Sequence, residues 1–401
     1  MKRKLAIVFS AVLMLFFPFE GKCGFGWDTA INEDLYNQML SYIKTIESES
    51  IGTPYYGIVQ EMLIDVKAIH KQQPYAWLGQ VHRICTVLED IYGPAMGHPT
   101  ASSDAYEKLR RNIFRLRDFP MHEVAATNDE KPATQQQVDA FDEAVSQEVW
   151  QKRDQFLAML YNGRPAKGEV QIMKLYSAGF IVRTSDVCLG IDLSWNWGLY
   201  NSERKDELVN FVDAYFTSHA HEDHYDEWLL NAAAKKGKPM FMTVDLAPGV
   251  ASDKKIIWNE MHTDEYTIKV NNTDIKVTAG YGAQDDEPCL MMMIEVDGVR
   301  ITHLGDNNLH EKEAEFYPLV NQADIVLCPI FNGLPTVFNS TYAKAPNPDG
   351  IQQLYINCHE NEHVHGVASR VSMKYFYETA LNDSAPVTVI LDNGECITIK
   401  K

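Results

Sequence analysis

The spacing of apolar residues along the chain changes once, near residue 165. Before that point apolar side chains recur three and four residues apart: Leu35, Met39, Tyr42 and Ile43; Ile58, Met62, Leu63 and Val66; Leu78, Val81, Ile84, Cys85 and Leu88; Leu109, Ile113 and Leu116. That spacing lines one face of a helix, so helices are expected here. Pro54, Pro74, Pro94, Pro99 and Pro120 break the pattern into turns or helix starts. The polar stretch 125–134 reads as a loop, and a last long helix is expected over about residues 135–161, with Phe141, Val145, Val149, Phe156 and Leu160 inward. Asn162-Gly163-Arg164-Pro165-Ala166-Lys167-Gly168 is then the natural boundary, and the region before it shows no repeat and no metal cluster.

Beyond the boundary the apolar runs shorten to strand length. Residues 170–175, 178–182, 187–192, 211–217, 275–279, 290–296 and 354–359 read as strands. Helical patterns intervene near 203–209, 226–236 and 367–380. Alternation of this kind predicts an α/β domain.

One of those strands runs directly into Ser218-His219-Ala220-His221-Glu222-Asp223-His224. Imidazole nitrogen and carboxylate oxygen together suit a divalent first-row ion such as zinc, manganese or iron. In an extended segment residues two apart point the same way, so His219 and His221 can grip one ion. Asp223 and His224 come from the following turn and suit a second ion nearby. Open α/β sheets place ligands beyond the carboxyl ends of their strands, where this motif stands. Two later strands end on further candidates: Thr302-His303-Leu304-Gly305-Asp306, whose Asp306 could bridge two ions, and Asn357-Cys358-His359.

The order H-x-H-x-D-H, then strand-Gly-Asp, then strand-His resembles the metallo-β-lactamase superfamily, and within it the lactonase and phospholipase-D-like branch that includes the ascorbate-6-phosphate lactonases. The resemblance covers about residues 168–401, with 387–395 looking like that fold's closing hairpin. It implies an αββα sandwich, two facing sheets with helices outside, and the helical spacing before it implies a separate helical N-terminal domain. The expected division is 1–23 leader, 24–165 helical domain and 166–401 metallo-β-lactamase-like domain. By position, His219 and His221 would hold the first metal and Asp223, His224 and His359 the second, with Asp306 bridging both and Asp192 orienting a ligand histidine. One family ligand is missing. After residues 275–279 the chain reads Gly280-Tyr281-Gly282-Ala283-Gln284-Asp285-Asp286-Glu287, a loop without a histidine. His262 precedes that strand, and Gln284, Asp285 or Tyr281 could stand in. Three metal states follow: two ions with an oxygen-rich first site, one ion in the second site, or a degenerate site. An oxygen ligand would tilt selectivity from zinc toward manganese or iron.

Other histidines read differently. His363 and His365 flank a position His359 already fills and are expected to be exposed or supporting; His303 is expected to support Asp306. Ser194-Trp195-Asn196-Trp197-Gly198 could either line the pocket or pack a loop onto the sheet.

Composition narrows the class. With 401 residues, two domains are expected. Lys2-Arg3-Lys4, the apolar residues 5–17, Pro18 and Gly21-Lys22-Cys23 read as an export leader, with cleavage expected before Gly24. Its apolar core is too short for an integral span. A periplasmic or secreted product is expected, with lipid anchoring through Cys23 as the alternative. Cleavage removes four cations and one anion and takes the formal charge from −19 to −22. A surface that negative repels nucleic acid, which points to a small-molecule substrate. Cys85, Cys188, Cys289, Cys328, Cys358 and Cys396 show no C-x-x-C pair and read as isolated buried thiols.

The sequence therefore predicts an exported metal-dependent hydrolase, with one or two divalent ions activating a water as hydroxide against an ester, lactone or phosphodiester. Asp223 would hold a metal and orient the attacking group. The alternative is a non-catalytic binding protein on the same fold, favoured by the missing histidine. A true β-lactamase is disfavoured, because Leu304-Gly305-Asp306 offers aspartate where zinc β-lactamases use cysteine or histidine.

Overall fold

The computed structural model describes residues 41, 44–52, 56, 57, 60, 63, 64, 95–97, 158, 160–194, 205–250, 255–258, 264–284, 287–307, 313–329, 353–359, 387–391 and 394–400. Most of the expected N-terminal helices, the leader, the segment 195–198, His262, Asp285, His363, His365 and the helix near 367–380 lie outside these residues. Where the N-terminal part is described, residues 44–50 are helical and Leu63 is buried. No helix among the described residues is long and apolar enough to cross a membrane.

In chain order the strands are β1 (Ala95–Gly97), β2 (Glu169–Tyr176), β3 (Gly179–Arg183), β4 (Cys188–Ile191), β5 (Ala214–Phe216), β6 (Met240–Thr243), β7 (Lys255–Trp258), β8 (Asp264–Val270), β9 (Thr273–Gln284), β10 (Glu287–Val296), β11 (Val299–His303), β12 (Ile325–Pro329), β13 (Leu354–Cys358), β14 (Val387–Ile390) and β15 (Cys396–Lys400). Helix α1 spans Lys205–Phe211, α2 Glu227–Lys235 and α3 Glu313–Gln322. They form two mixed sheets, ordered β1-β14-β13-β12-β11-β10-β9-β8 and β15-β2-β3-β4-β5-β6-β7. Each sheet joins an antiparallel run to a parallel one: β11 to β14 are parallel in the first, β4 to β7 in the second.

The core lies between the sheets. Ile172, Val182, Leu189 and Phe216 from one sheet meet Val277, Met292, Ile301, Leu327 and Ile356 from the other in a single buried cluster. Burial of each such side chain contributes roughly 1.5–3 kcal/mol relative to leaving it in water. Alternation along β4 sends Leu189 and Ile191 into this cluster and turns Gly190 outward. There a Cβ on Gly190 would stand 3.2 Å from Val212, just past α1, so that helix end packs on the outer face. Helix α2 starts at Asp226, whose carboxylate accepts the Leu229 N–H at 3.2 Å, and buries Leu229, Leu230 and Ala233.

Four expectations need correction. The run 211–217 is not one strand: Phe211 closes α1, and only Ala214–Phe216 is extended. Residues 280–284 are not a loop but the continuation of β9, paired with β10 up to Gln284 and Glu287. The C-terminal segment is not a hairpin, because β14 pairs with β13 while β15 crosses to the other sheet and pairs with β2. The region before residue 165 is not wholly helical, since Ala95–Gly97 adds an edge strand to the first sheet.

Candidate metal centre

The predicted ligands sit where parallel strands end. Asp192 follows β4, the residues 218–224 follow β5, Asp306 lies three residues past β11, and His359 immediately follows β13. The sheets are stitched together here: Leu290 of β10 donates its N–H to the Ser218 carbonyl at 2.9 Å, and the His359 N–H reaches the Ser177 carbonyl at 3.2 Å. The chain also bends sharply, with Asp192, Gly305 and His359 all at positive φ of 45°, 56° and 69°. Of these three, Gly305 has no side chain, and its surroundings leave no room for one. A Cβ there would stand 2.7 Å from Cys289 Sγ, 3.1 Å from the Leu290 carbonyl oxygen and 3.2 Å from Ser218 Cβ. Gly305→Ala combines backbone strain with overpacking, so it should lower stability by roughly 3 kcal/mol, read as a drop in the midpoint of chemical unfolding. An unchanged midpoint would show that this corner can relax.

Asp223, His224, Asp306 and His359 converge. His224 Nε2 is 3.3 Å from Asp223 Oδ2 and 3.3 Å from Asp306 Oδ1; His359 Nε2 is 3.1 Å from Asp223 Oδ2 and 2.7 Å from Asp306 Oδ2. The two Nε2 atoms are 3.1 Å apart. Ligands at metal bonds of about 2.0–2.2 Å stand roughly 3.0–3.5 Å from one another, so this group already has the dimensions of a coordination shell. Among these buried groups Asp223 Oδ2, Asp306 Oδ1 and the neighbouring His219 Nε2 have no hydrogen-bond partner. Two carboxylates buried side by side call for positive charge, which an ion between them and the two imidazoles would supply. The donor set therefore fits a divalent ion.

His219, His221 and Asp306 form a second, looser group. His219 and His221 hold their rings 4.6 Å apart, and His219 Nε2 is 4.0 Å from Asp306 Oδ2. Asp306 belongs to both groups, which is the position a bridging carboxylate needs. His221 is the outermost member and touches Glu287, with Nε2 and Oε2 3.1 Å apart.

Behind the ligands lies a third cluster that works by hydrogen bonding. Asp192 Oδ2 is 2.7 Å from His224 Nδ1, 2.6 Å from His303 Nε2 and 2.6 Å from Ser218 Oγ, while its Oδ1 accepts the Ser218 N–H at 2.7 Å. Spacings this short to one oxygen are charge-assisted hydrogen bonds and leave no room for an ion between the atoms. His303 thus braces Asp192, not Asp306 as the sequence suggests. Because the Ser218 hydroxyl donates to Asp192, its oxygen is left to accept from His219 Nδ1 at 2.9 Å. Both His219 and His224 are therefore held by Nδ1 and present Nε2 to the site. Ser218 is the residue sequence reasoning missed here: it stands directly before the motif, but its role depends on Asp192, 26 residues away.

Electrostatics follow burial and neighbours. Burial disfavours a charge on His224, yet the carboxylates of Asp306, Asp223 and Asp192 outweigh it and hold this imidazole well above its ordinary pKa. Burial likewise opposes ionisation of Asp306 and Asp223, but His359 and His224 hold Asp306, and His224 and His359 hold Asp223, well below the carboxylate range. His219 is pushed down to about 3, by burial first and then by the charge on His224. At neutral pH in the metal-free protein His219 is a free base, whereas His224 carries an extra proton. An ion entering between His224 and His359 must displace that proton, so its apparent affinity should rise with pH, up to about tenfold per unit. Calorimetric titration in buffers of different ionisation enthalpy should return close to one proton released per ion; zero would contradict the protonated His224.

Cys188, Cys289, Cys328, Cys358 and Cys396 are all free thiols, the first four buried, as expected for isolated cysteines. Cys289 also supports the site directly, since its sulfur accepts the Asp306 N–H at 3.2 Å and lies 3.7 Å from His219 Nδ1.

No curated protein matches the chain. Among solved structures it is similar to Igni18, described as a novel metallo hydrolase from the hyperthermophilic archaeon Ignicoccus hospitalis, at 18% identity and a TM-score of 0.45 over 58% of this chain and 99% of that one. It is also similar to the metallo-beta-lactamase fold protein YhfI from Bacillus subtilis (15% identity, TM-score 0.42, 57% and 98% covered). A third is an isothiocyanate hydrolase from Delia radicum gut bacteria (13% identity, TM-score 0.42, 58% and 100% covered). Residues 171–347 match the family model described as a beta-lactamase superfamily domain.

Proposed function

We propose that this protein is an exported metal-dependent hydrolase of small molecules, acting on an ester, lactone or phosphodiester. The observation that carries the reading is the buried convergence of His224, His359, Asp223 and Asp306, with nitrogen and oxygen atoms 2.7–3.3 Å apart. In this reading the second ion is held by Asp223, His224 and His359, the first by His219 and His221, with Asp306 between them. Divalent ions there supply Lewis acidity, which makes a water acidic enough to lose its proton near neutral pH and polarises a substrate oxygen.

The chain's own residues do the rest. Asp192 and Ser218 fix the tautomers of His224 and His219 so that both offer Nε2. Asp223, kept ionised by His224 and His359, can only accept, so it can orient an attacking water through its hydrogen. The 0–4% exposure of the His224, Asp223, Asp306 and His359 side chains keeps competing bulk water from these groups. The formal charge of −19 disfavours a nucleic-acid substrate.

The alternative, a binding protein with a degenerate site, draws on the looser first group, where His219 Nε2 stands 4.0 Å from Asp306. The two readings separate on one experiment. Purified protein is stripped with a chelator, reloaded with zinc, manganese or iron(II), and assayed on a panel of esters, lactones and phosphodiesters. Turnover that vanishes on stripping and returns on reloading is expected. Metal uptake without turnover on any substrate class, or no metal uptake at all, overturns the hydrolase and leaves the binding protein.

A further inference from the structure

We propose that Glu287 is a ligand of the first metal, standing in for the absent histidine and making that site a set of two imidazoles and two carboxylates. The inference rests on the two-metal reading above. It starts from register. Glu287 opens β10, and alternation places it on the same face as Cys289, two residues on. Cys289 faces the site directly, 3.7 Å from His219 Nδ1 and bonded to the Asp306 N–H. Glu287 is thus the next side chain on that face toward the tip of the β9–β10 hairpin, and its Oε2 reaches to 3.1 Å from His221 Nε2. That separation is one edge of a coordination polyhedron, as in the second site.

A second observation points to the same ion. His219 is buried, with 1% of its side chain exposed, and its Nε2 has no hydrogen-bond partner. A buried base of that kind, beside Asp306 and the ring of His221, lacks a cation. His219, His221 and Asp306 offer three ligands, and Glu287, in contact with His221, is the carboxylate placed to complete the set. Gln284, the neutral candidate, is paired with Glu287 across the hairpin mouth and lacks its charge. An ordinary surface ion pair is the competing account of the His221–Glu287 contact, since their side chains are 38% and 60% exposed. An ion on His219, His221 and Asp306 accounts for the unpartnered His219 Nε2, and the test below decides whether Glu287 joins it or only pairs with His221.

Two carboxylates with two imidazoles form a harder shell than three imidazoles, so the first site should prefer manganese(II) or iron(II) over zinc more strongly than the second. Because Glu287 is exposed, its replacement leaves the fold intact, which thermal unfolding verifies.

The test is manganese(II) titration of the full metal-free protein, followed by electron paramagnetic resonance and bulk metal analysis, on the parent, Glu287→Ala, Glu287→His and His359→Asn. The parent should take two ions. Glu287→Ala should hold one tightly and bind the other at least about tenfold more weakly, with loss of any manganese–manganese coupling. Glu287→His should restore two ions and raise the zinc preference of the first site. Two ions bound equally well by Glu287→Ala would overturn the proposal and reduce the contact to an ion pair. A single ion in the parent, lost in His359→Asn but untouched in Glu287→Ala, would overturn it while leaving the second site standing. No ion in the parent would overturn both.

Discussion

Asp306→Ala should empty both metal sites at once. Its carboxylate is the one group shared by the two ligand clusters. Oδ1 lies 3.3 Å from His224 Nε2, and Oδ2 lies 2.7 Å from His359 Nε2 and 4.0 Å from His219 Nε2. Removing it leaves two imidazoles and Asp223 at the second site and no buried carboxylate at the first. The predicted outcome is less than about a tenth of the parent's bound metal, and a fall in turnover well beyond the roughly 10- to 100-fold typical of losing a supporting residue. His221→Ala, by contrast, should lose only the first ion, because His221 belongs to the first cluster alone. Asp306→Asn keeps the shape and one carbonyl oxygen, so partial retention of metal would separate the charge from the geometry. Bulk metal analysis on the three variants decides the matter. Full metal content in Asp306→Ala would remove the bridging role.

The second large effect belongs to a residue that touches no ion. Asp192 is completely buried and takes hydrogen bonds from Ser218 twice, from His224 and from His303. Burial works against its ionisation, but His303 and His224 hold it well below the ordinary carboxylate range. Asp192→Ala leaves those donors in a dry pocket without an acceptor and removes the restraint on two imidazoles. A loss of about 3–5 kcal/mol in stability is expected for breaking a buried, charge-paired group from one side. Metal affinity should fall about 10- to 100-fold as His219 and His224 lose their fixed tautomers. Asp192→Asn tests the division: it can still accept from some donors and should recover much of the stability but less of the affinity. A variant that unfolds at the parent's denaturant concentration and binds metal equally well would show that Asp192 is dispensable.

How far the site was legible in the sequence depended on how near each residue stands to its own strand. His219, His221, Asp223 and His224 follow β5 within eight residues of its end, and His359 is the residue after β13, so apolar run and ligand are read together. Asp306 was legible for the same reason. What was hidden is pairing across the chain. His303 sits close to Asp306 in sequence, yet its partner is Asp192, 111 residues away, and Glu287 meets His221 across 66. Only the register of β9 on β10 and the fold of one sheet on the other bring these groups together.

The fold errors share that origin. Asp392-Asn393-Gly394 carries strong turn chemistry between two apolar runs, which locally describes a hairpin. The runs join different sheets because each finds its partner elsewhere, β14 on β13 and β15 on β2. At Phe211 a buried helix end and a buried strand abut, and a continuous apolar run cannot tell one from the other. Residues 280–284 read as a loop because Gly280 and Gly282 interrupt the apolar pattern. The pairing of Gly280 with Met291 and Gly282 with Cys289 carries the strand through both.

The left-handed residues at the strand ends have a consequence for insertions and deletions. Asp192, Gly305 and His359 each turn the chain within a single residue, so the path from strand to site contains no spare length. One added or deleted residue between β4 and Asp192, or between β11 and Asp306, would shift a working side chain by about 3.3 Å, a full step of extended chain. That exceeds the whole tolerance of a coordination shell. The turn Asp297-Gly298, also left-handed at φ of 48° and 76°, joins β10 to β11 at the opposite end of those strands from Glu287 and His303. Extra residues there would change the outline of the molecule and leave the spacing of the ligands untouched. Sequences of this fold should therefore vary in length at one end of the strands and hold a fixed count at the other.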